Sequence, residues 1–219
     1  MRLFHRPIKG EPRWPAGIAV VAIGGLYAAL PPALIVLRPR WLILAIVAAI
    51  MVPTIISHRT GNHFLNQILG YVLNGIVTVA MSMALVRLLS AVTAHTIDPK
   101  SLLLSAFALW CSNILVFASW YWRLDAGGPH ERARTPGHTD GAFLFPQMTM
   151  APAAKIAAGE HNWEPNFVDY LFLAFNTSTA FSPTDVPVLS RWAKILMMLQ
   201  SVISLLVVAL LAGRAVNIL

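Results

Sequence analysis

Apolar residues in this chain lie in long unbroken runs separated by short polar turns, with little of the alternation expected of strands. Five runs stand out, 16–37, 41–56, 67–89, 101–122 and 191–213. A helix needs about 18 or more apolar residues to cross a hydrocarbon core of roughly 30 Å. The pattern therefore predicts an all-α integral membrane protein with about five transmembrane helices. A sixth run, Phe167–Ala180, makes only about four turns and is too short to cross; it predicts a re-entrant helix. Pro31 and Pro32 should kink or end the first helix, because each removes a backbone donor. The short turn Arg38-Pro39-Arg40 makes the first two segments a tight antiparallel hairpin, with the second ending near Pro53.

Composition agrees with this pattern, with 57% hydrophobic and 11% charged residues, against about 25% charged in ordinary soluble domains. The net charge of +7 sits at the ends of apolar runs, with no aromatic-interleaved basic patch. It reads as a topology signal beside anionic head groups and gives no sign of nucleic-acid binding. The basic tail 1–15 precedes a run too long for a signal-peptide core, so the first span is expected to be retained. Cys111, the single cysteine, lies within an apolar run and reads as a small core residue.

Residues 123–165 form the one extended polar stretch, rich in Gly, Pro and His, and are expected to lie outside the bilayer, where backbone amides find partners. Trp120, Tyr121 and Trp122 end the fourth run and read as a head-group belt. His130, His138 and His161, with Asp140 and Glu160, match no standard metal-ligand spacing. Arg87 reads as a snorkelling anchor. No paired acid, base or nucleophile spacing points to an enzyme, Asp125, Asp140 and Asp169 included, and no cofactor motif is present.

The most informative stretch is 166–219. Asn166 is a plausible helix cap, with Asp169 in the first turn near the positive helix end. After the short helix comes the polar sequence Thr177-Ser178-Thr179-Ala180-Phe181-Ser182-Pro183-Thr184-Asp185, bracketed by apolar runs. Its backbone must be buried in protein or line water. A helix whose negative C-terminal end points into the membrane, followed by such a loop, is a cation-stabilising device. The last run holds Gln200, Ser201 and Ser204, and Gln200 and Ser204 share a face. That face lines a pore, or it hydrogen-bonds between helices without one.

Pore helix, Thr-rich loop, closing Asp185, the start Arg191-Trp192-Ala193-Lys194 and an apolar inner helix together resemble the two-span pore module of tetrameric potassium channels, whose filter reads T-x-x-T-V-G-Y-G-D. Asn113 to Phe117, Trp120-Tyr121-Trp122 with Asp125 and Gly127-Gly128-Pro129, Phe145-Pro146-Gln147-Met148, Phe181 to Asp185 and Arg214 to Leu219 are also similar to an uncharacterised bacterial membrane-protein family with this channel-like end. The resemblance implies N-terminal transmembrane helices over 16–100 and a pore module over 101–219. Within the module it implies an outer helix at 101–122, a polar loop at 123–165, a pore helix and filter-like loop at 166–185 and an inner helix at 190–213. It further implies a homotetramer in a bacterial inner membrane that passes monovalent cations, K+ or Na+. Ser182-Pro183-Thr184 stands where potassium channels have Gly-Tyr-Gly, and Pro cannot take the left-handed dihedrals that glycine supplies there. A non-conducting membrane scaffold is the alternative. The tail's cations argue for a cytoplasmic N-terminus; the channel resemblance puts the filter loop outside and the C-terminus inside.

Overall fold

In lipid a chain must satisfy its own amides, and a helix does so within one segment. The computed structural model describes residues 11–94, 96–134, 141–160, 163–181 and 185–216. Its long helices are α1 (Trp14–Ala28), α2 (Leu42–Arg59), α3 (His63–Ala94), α4 (Pro99–Leu124) and α9 (Arg191–Val216). Between α4 and α9 come a 3-10 turn at Asp125–Gly127 and the short helices α5 (Pro129–Arg134), α6 (Pro146–Thr149), α7 (Pro152–Ala157) and α8 (Phe167–Thr179). The stretches Leu42–Arg59, His63–Val92, Pro99–Gly127 and Arg191–Gly213 are long and apolar enough to cross a membrane.

The first run ends its helix near the prolines, as expected, and so is shorter than the 16–37 span. Its helix stops at Ala28 after 15 residues, because Leu30 and Pro31 each precede a proline and are pushed away from helical dihedrals. The chain nonetheless covers the full depth of the bundle. At one end Arg13 donates to Asn66 (2.9 Å); at the other Arg87 donates to the carbonyl of Ile35 (2.9 Å). Asn66 and Arg87 both lie on α3, so at 1.5 Å per residue the two contacts are about 30 Å apart, roughly the hydrocarbon thickness. The irregular stretch after α1 has its backbone satisfied by side chains: the Tyr27 hydroxyl accepts from the amide of Val36 (3.1 Å), and Leu34 and Ile35 are buried. Arg87 is thus a cap for this stretch as well as an exposed cation.

The second helix passes straight through Pro53 to Arg59. The proline forfeits one donor, yet the neighbouring turns stay tied, with Thr54 Oγ1 donating to the carbonyl of Ile50 (2.7 Å) and Asn66 Nδ2 donating to the carbonyl of Thr54 (2.7 Å). Adjacent helices re-satisfying a proline's surroundings is the usual way such a residue survives inside a membrane helix. α4 is the hub. It starts at Pro99 with Asp98 accepting from the Ser101 amide (3.0 Å), and it packs against α1 and α3 on one side and α8 and α9 on the other.

The aromatic trio at the end of α4 faces inward, correcting the head-group-belt expectation. Tyr121 and Trp122 are buried, and Trp120 Nε1 donates to Thr78 Oγ1 of α3 (2.9 Å). These side chains knit helices together within the chain.

Candidate functional site

Three segments converge on the second side of α4. The Asn166 side chain accepts from the Val168 amide (2.8 Å) and the Asp169 carboxylate accepts from the Asn166 amide (2.7 Å), closing both ends of a capping box at the start of α8. In that first turn the Tyr170 hydroxyl donates to Asp125 Oδ2 at the end of α4 (2.5 Å). In the last turn Ser178 meets α9: Gln200 Nε2 donates to Ser178 Oγ (2.8 Å) and to the carbonyl of Ala174 (2.7 Å), and Ser204 Oγ donates to the carbonyl of Ser178 (2.6 Å).

The same α9 residues are tied to the middle of α4. Tyr121 donates its hydroxyl proton to Gln200 Oε1 (2.6 Å), Asn113 Nδ2 donates to the carbonyl of Gln200 (3.2 Å), and Trp110 Nε1 donates to Ser204 Oγ (3.0 Å). α8 therefore runs along α4 from the level of Asp125 to about that of Trp110, some 20 Å at 1.5 Å per residue, and goes no further. Beyond it the chain is back at the starting level by Val188. There Phe143 and Val188 form an antiparallel bridge, Leu189 donates its amide to Ala142 (2.8 Å), and the Ala142 amide donates to Asp125 Oδ1 (2.5 Å).

Asp125 has no exposed surface and acts as the clasp of this end, bonding α8 and the loop at once. Beneath it, Arg132 Nη1 donates to the carbonyls of Trp122 (2.6 Å) and Asp125 (2.9 Å), and Nη2 pairs with Glu11 (3.0 Å). Glu11 also accepts from Trp122 Nε1. Burial pushes the Glu11 carboxyl up from its ordinary range, against the pull of Arg132. This tie places residue 11 at the loop end of the bundle, while α9 carries residue 216 toward the opposite end. The turn that allows it needs glycine: Gly127 and Gly128 have φ of +76° and +95°, and a Cβ on Gly128 would come within 2.9 Å of the Arg123 carbonyl. An aromatic cap seals the layer, with Phe143 edge-on to Tyr121 (5.3 Å), Tyr170 (6.1 Å) and Trp192 (6.0 Å).

The filter-like stretch is divided. Thr177, Ser178 and Thr179 belong to α8; Thr177 and Ser178 are fully buried. The hydroxyls of Thr177 and Thr179 donate back to Leu173 (2.8 Å) and Phe175 (3.0 Å), the i−4 bonding that helical Ser and Thr favour. Ala180, Phe181 and Asp185 are exposed, and Phe181 takes a left-handed φ of +54° that a bulky residue rarely adopts. Ser182, Pro183 and Thr184 lie outside the described residues, as do His138, Asp140, His161 and 217–219. In the inner helix Gln200 and Ser204 have no exposed surface, whereas Ser201 is half-buried. A side chain wholly enclosed in one chain cannot line a cavity shared between chains. The face carrying Gln200 and Ser204 is thus the interhelical one.

No family model, curated protein or solved structure matches the chain. The residues that organise this unit were only partly visible in sequence. Tyr121 and Asn113 carried no polar-network signal, and Arg132 and Glu11 are 121 positions apart. Among the described residues there is no cluster of three or more metal-ligating side chains.

Proposed function

We propose that α4, the polar loop, α8 and α9 form the pore module of an ion-channel-like membrane protein that passes monovalent cations through a homotetramer. The observation that carries the reading is the course of α8. It descends part-way along α4 with its negative C-terminal end leading, and the chain then returns to the level it left. A single such loop cannot enclose an axis, and closed symmetry is the usual solution. Surfaces remain for neighbouring copies: Phe172 and Phe175 on α8 and Ile195, Met198, Val202 and Leu205 on α9 are exposed and apolar.

In this reading the hydroxyls of Thr177 to Thr179 hold the pore helix in place, and the ion meets groups beyond Thr179. Backbone carbonyls at the negative end of α8 stabilise a cation, and Asp185, exposed at the loop end, concentrates cations at the mouth. The loop end faces outward. A cysteine at Asp185 then labels with an impermeant reagent from outside.

Vesicles holding purified protein and loaded with K+ or Na+ test conduction directly. Asp185→Asn should leave oligomer size unchanged and lower flux, most at low ionic strength, where screening is weak. A wild-type protein that passes neither ion and is a monomer by native mass would sink the proposal. One observation favours the scaffold reading: Gln200, Ser204 and Ser178 satisfy one another within a single chain. A stable tetramer that stays silent to both ions would establish that second reading.

A further inference from the structure

On the other side of α4, at the loop end, lies a basic recess that the pore reading leaves unused. It measures about 210 Å³ and is walled by Arg13, His63, Asn66, Gln67, Tyr71 and Arg123, with α5 as its rim. A second recess of about 310 Å³ shares Arg13, His63 and His130 and adds His58 and Arg134. Cations predominate, and the carboxylates close by are engaged. Glu11 is held by Arg132 and Trp122, and Glu131 at the rim pairs with Arg134 at 3.5 Å.

Two guanidinium groups are held facing this space by the protein itself. Arg13 donates to Asn66 Oδ1 (2.9 Å), and Asn66 is anchored in turn through its Nδ2 to Thr54 (2.7 Å). Arg123 lies over the Trp122 indole at 5.2 Å and pairs with no carboxylate among the described residues. Its guanidinium fills a gap that exists because α3 has glycine there: a Cβ on Gly70 would lie 1.8 Å from Arg123 Nη1. An arginine given a glycine-lined seat beside a cavity, without an anionic neighbour, is short of a counter-charge. Arginine's planar fork matches a phosphate oxyanion in two parallel bonds. The N-terminus of α3, which begins at His63, adds the positive end of a 32-residue helix to the same wall.

We propose that this recess binds a phosphate oxyanion, seated between Arg13 and Arg123. The setting favours a phosphate borne by an anionic phospholipid. Phe64, which lines the recess, starts a stripe with Ile68 and Val72, spaced four apart on α3 and all exposed. An acyl chain lying along that stripe carries its head group to the two arginines. Free inorganic phosphate offers the same chemistry without the chain, and the proposal is independent of whether the protein conducts.

The experiment uses full-length protein in an uncharged detergent, offered equal amounts of phosphatidylglycerol and phosphatidylcholine and observed by native mass spectrometry. Wild type should retain phosphatidylglycerol at least about tenfold better, the lower end for a charge-assisted hydrogen bond. Arg13→Gln and Arg123→Gln should each remove most of that preference, and Arg123→Lys, which keeps the charge without the fork, should keep part of it. In a parallel arm, phosphate is compared with chloride at matched ionic strength for its effect on melting temperature. A lipid preference without a phosphate effect assigns the lipid-borne ligand. A phosphate effect abolished by the same substitutions, without a lipid preference, assigns the free anion. Should Arg123→Gln fail to fold, Arg13→Gln, at a half-buried position, decides alone. Equal retention of both lipids by wild type with no phosphate effect, or a preference unchanged in both variants, overturns the site.

Discussion

The two sides of α4 use their polar residues differently, although Asn113 Oδ1 on the α9 side is itself buried and unbonded. Toward α8 and α9, Asn113, Tyr121, Trp110, Gln200, Ser178 and Ser204 form one connected set of hydrogen bonds. Away from that set, Asn74 is buried with neither amide atom bonded and Ser119 is buried with its hydroxyl unpaired, while Trp120 donates to Thr78 of α3. Apolar contact gives little net drive between helices in lipid, so polar pairs and close packing decide which helices stay together. The comparison therefore teaches where orientation is specified. α8, a helix of 13 residues, is tied to α4 and α9 by one connected set, whereas the side-chain bonds of α3 are scattered along its 32 residues, at Asn66, Thr78 and Arg87.

The largest expected effect is at the clasp. Asp125→Ala removes a carboxylate that accepts from Ala142 and Tyr170. Bonds to a charged group contribute about 1.5–3 kcal/mol each, so the loss should be about 4 kcal/mol. Equilibrium unfolding in mixed micelles measures it, and protease cleavage in 141–160 should quicken in parallel. A loss below about 1 kcal/mol would mean that the loop end is held elsewhere.

Next comes Gln200→Leu, which deletes the side-chain bonds to Ala174, Ser178 and Tyr121. At about 0.6 kcal/mol for each interhelical bond in a membrane, the cost is about 2 kcal/mol. A double-mutant cycle with Tyr121→Phe should show the two substitutions to be coupled. Additive losses would show that the bonds do not act as a set.

On the α3 side the sign should reverse. Asn74→Leu replaces two unpaired polar atoms with apolar ones of similar volume and should stabilise by about 1 kcal/mol. Destabilisation would reveal a partner for Asn74 and erase the contrast between the two sides.

The smallest effect concerns the stacked rings of His63 and His130, 3.4 Å apart. Partial burial, and then the neighbouring His63, hold His130 below its ordinary value of 6.5. The folded chain thus binds that proton less readily than the unfolded one. The stability linked to His130 is fully present above 6.5 and is lost as the pH falls below that value and through the lower folded one. Melting temperature should fall between neutral and mildly acid pH, and His130→Asn should flatten the slope. An unchanged slope in that variant would assign the titration to other groups.

Local features of this fold were legible from the chain alone, and features made by distant partners were not. The capping box at Asn166 and Asp169 and the extent of α8, Phe167–Thr179 against an expected 167–180, follow from neighbours in sequence. So does the start of α4 beside Asp98 and Pro99. The continuation of α2 through Pro53 was hidden, because Asn66 of the next helix supports that turn. The inward turn of Trp120, Tyr121 and Trp122 was hidden as well: an aromatic cluster reads the same whether it meets head groups or a loop folded over it. The hydroxyls of Thr177 to Thr179 were visible as a set, but whether they face an ion or their own helix depends on where the helix ends, a difference of one turn. Gln200 and Ser204 were correctly paired on one face by their spacing, and the neighbour of that face was beyond what spacing can say.

The ties between α8 and α9 also set an order of events during synthesis. Ser178 takes its partners from Gln200 and Ser204, which lie 22 and 26 positions later in the chain, and α4 waits on the same two residues through Asn113, Tyr121 and Trp110. While the ribosome has yet to complete α9, both earlier helices carry polar groups without their final partners. A nascent chain halted before Arg191 therefore holds its last turn of α8 open, and the closing step of this half of the molecule waits until α9 has left the exit tunnel.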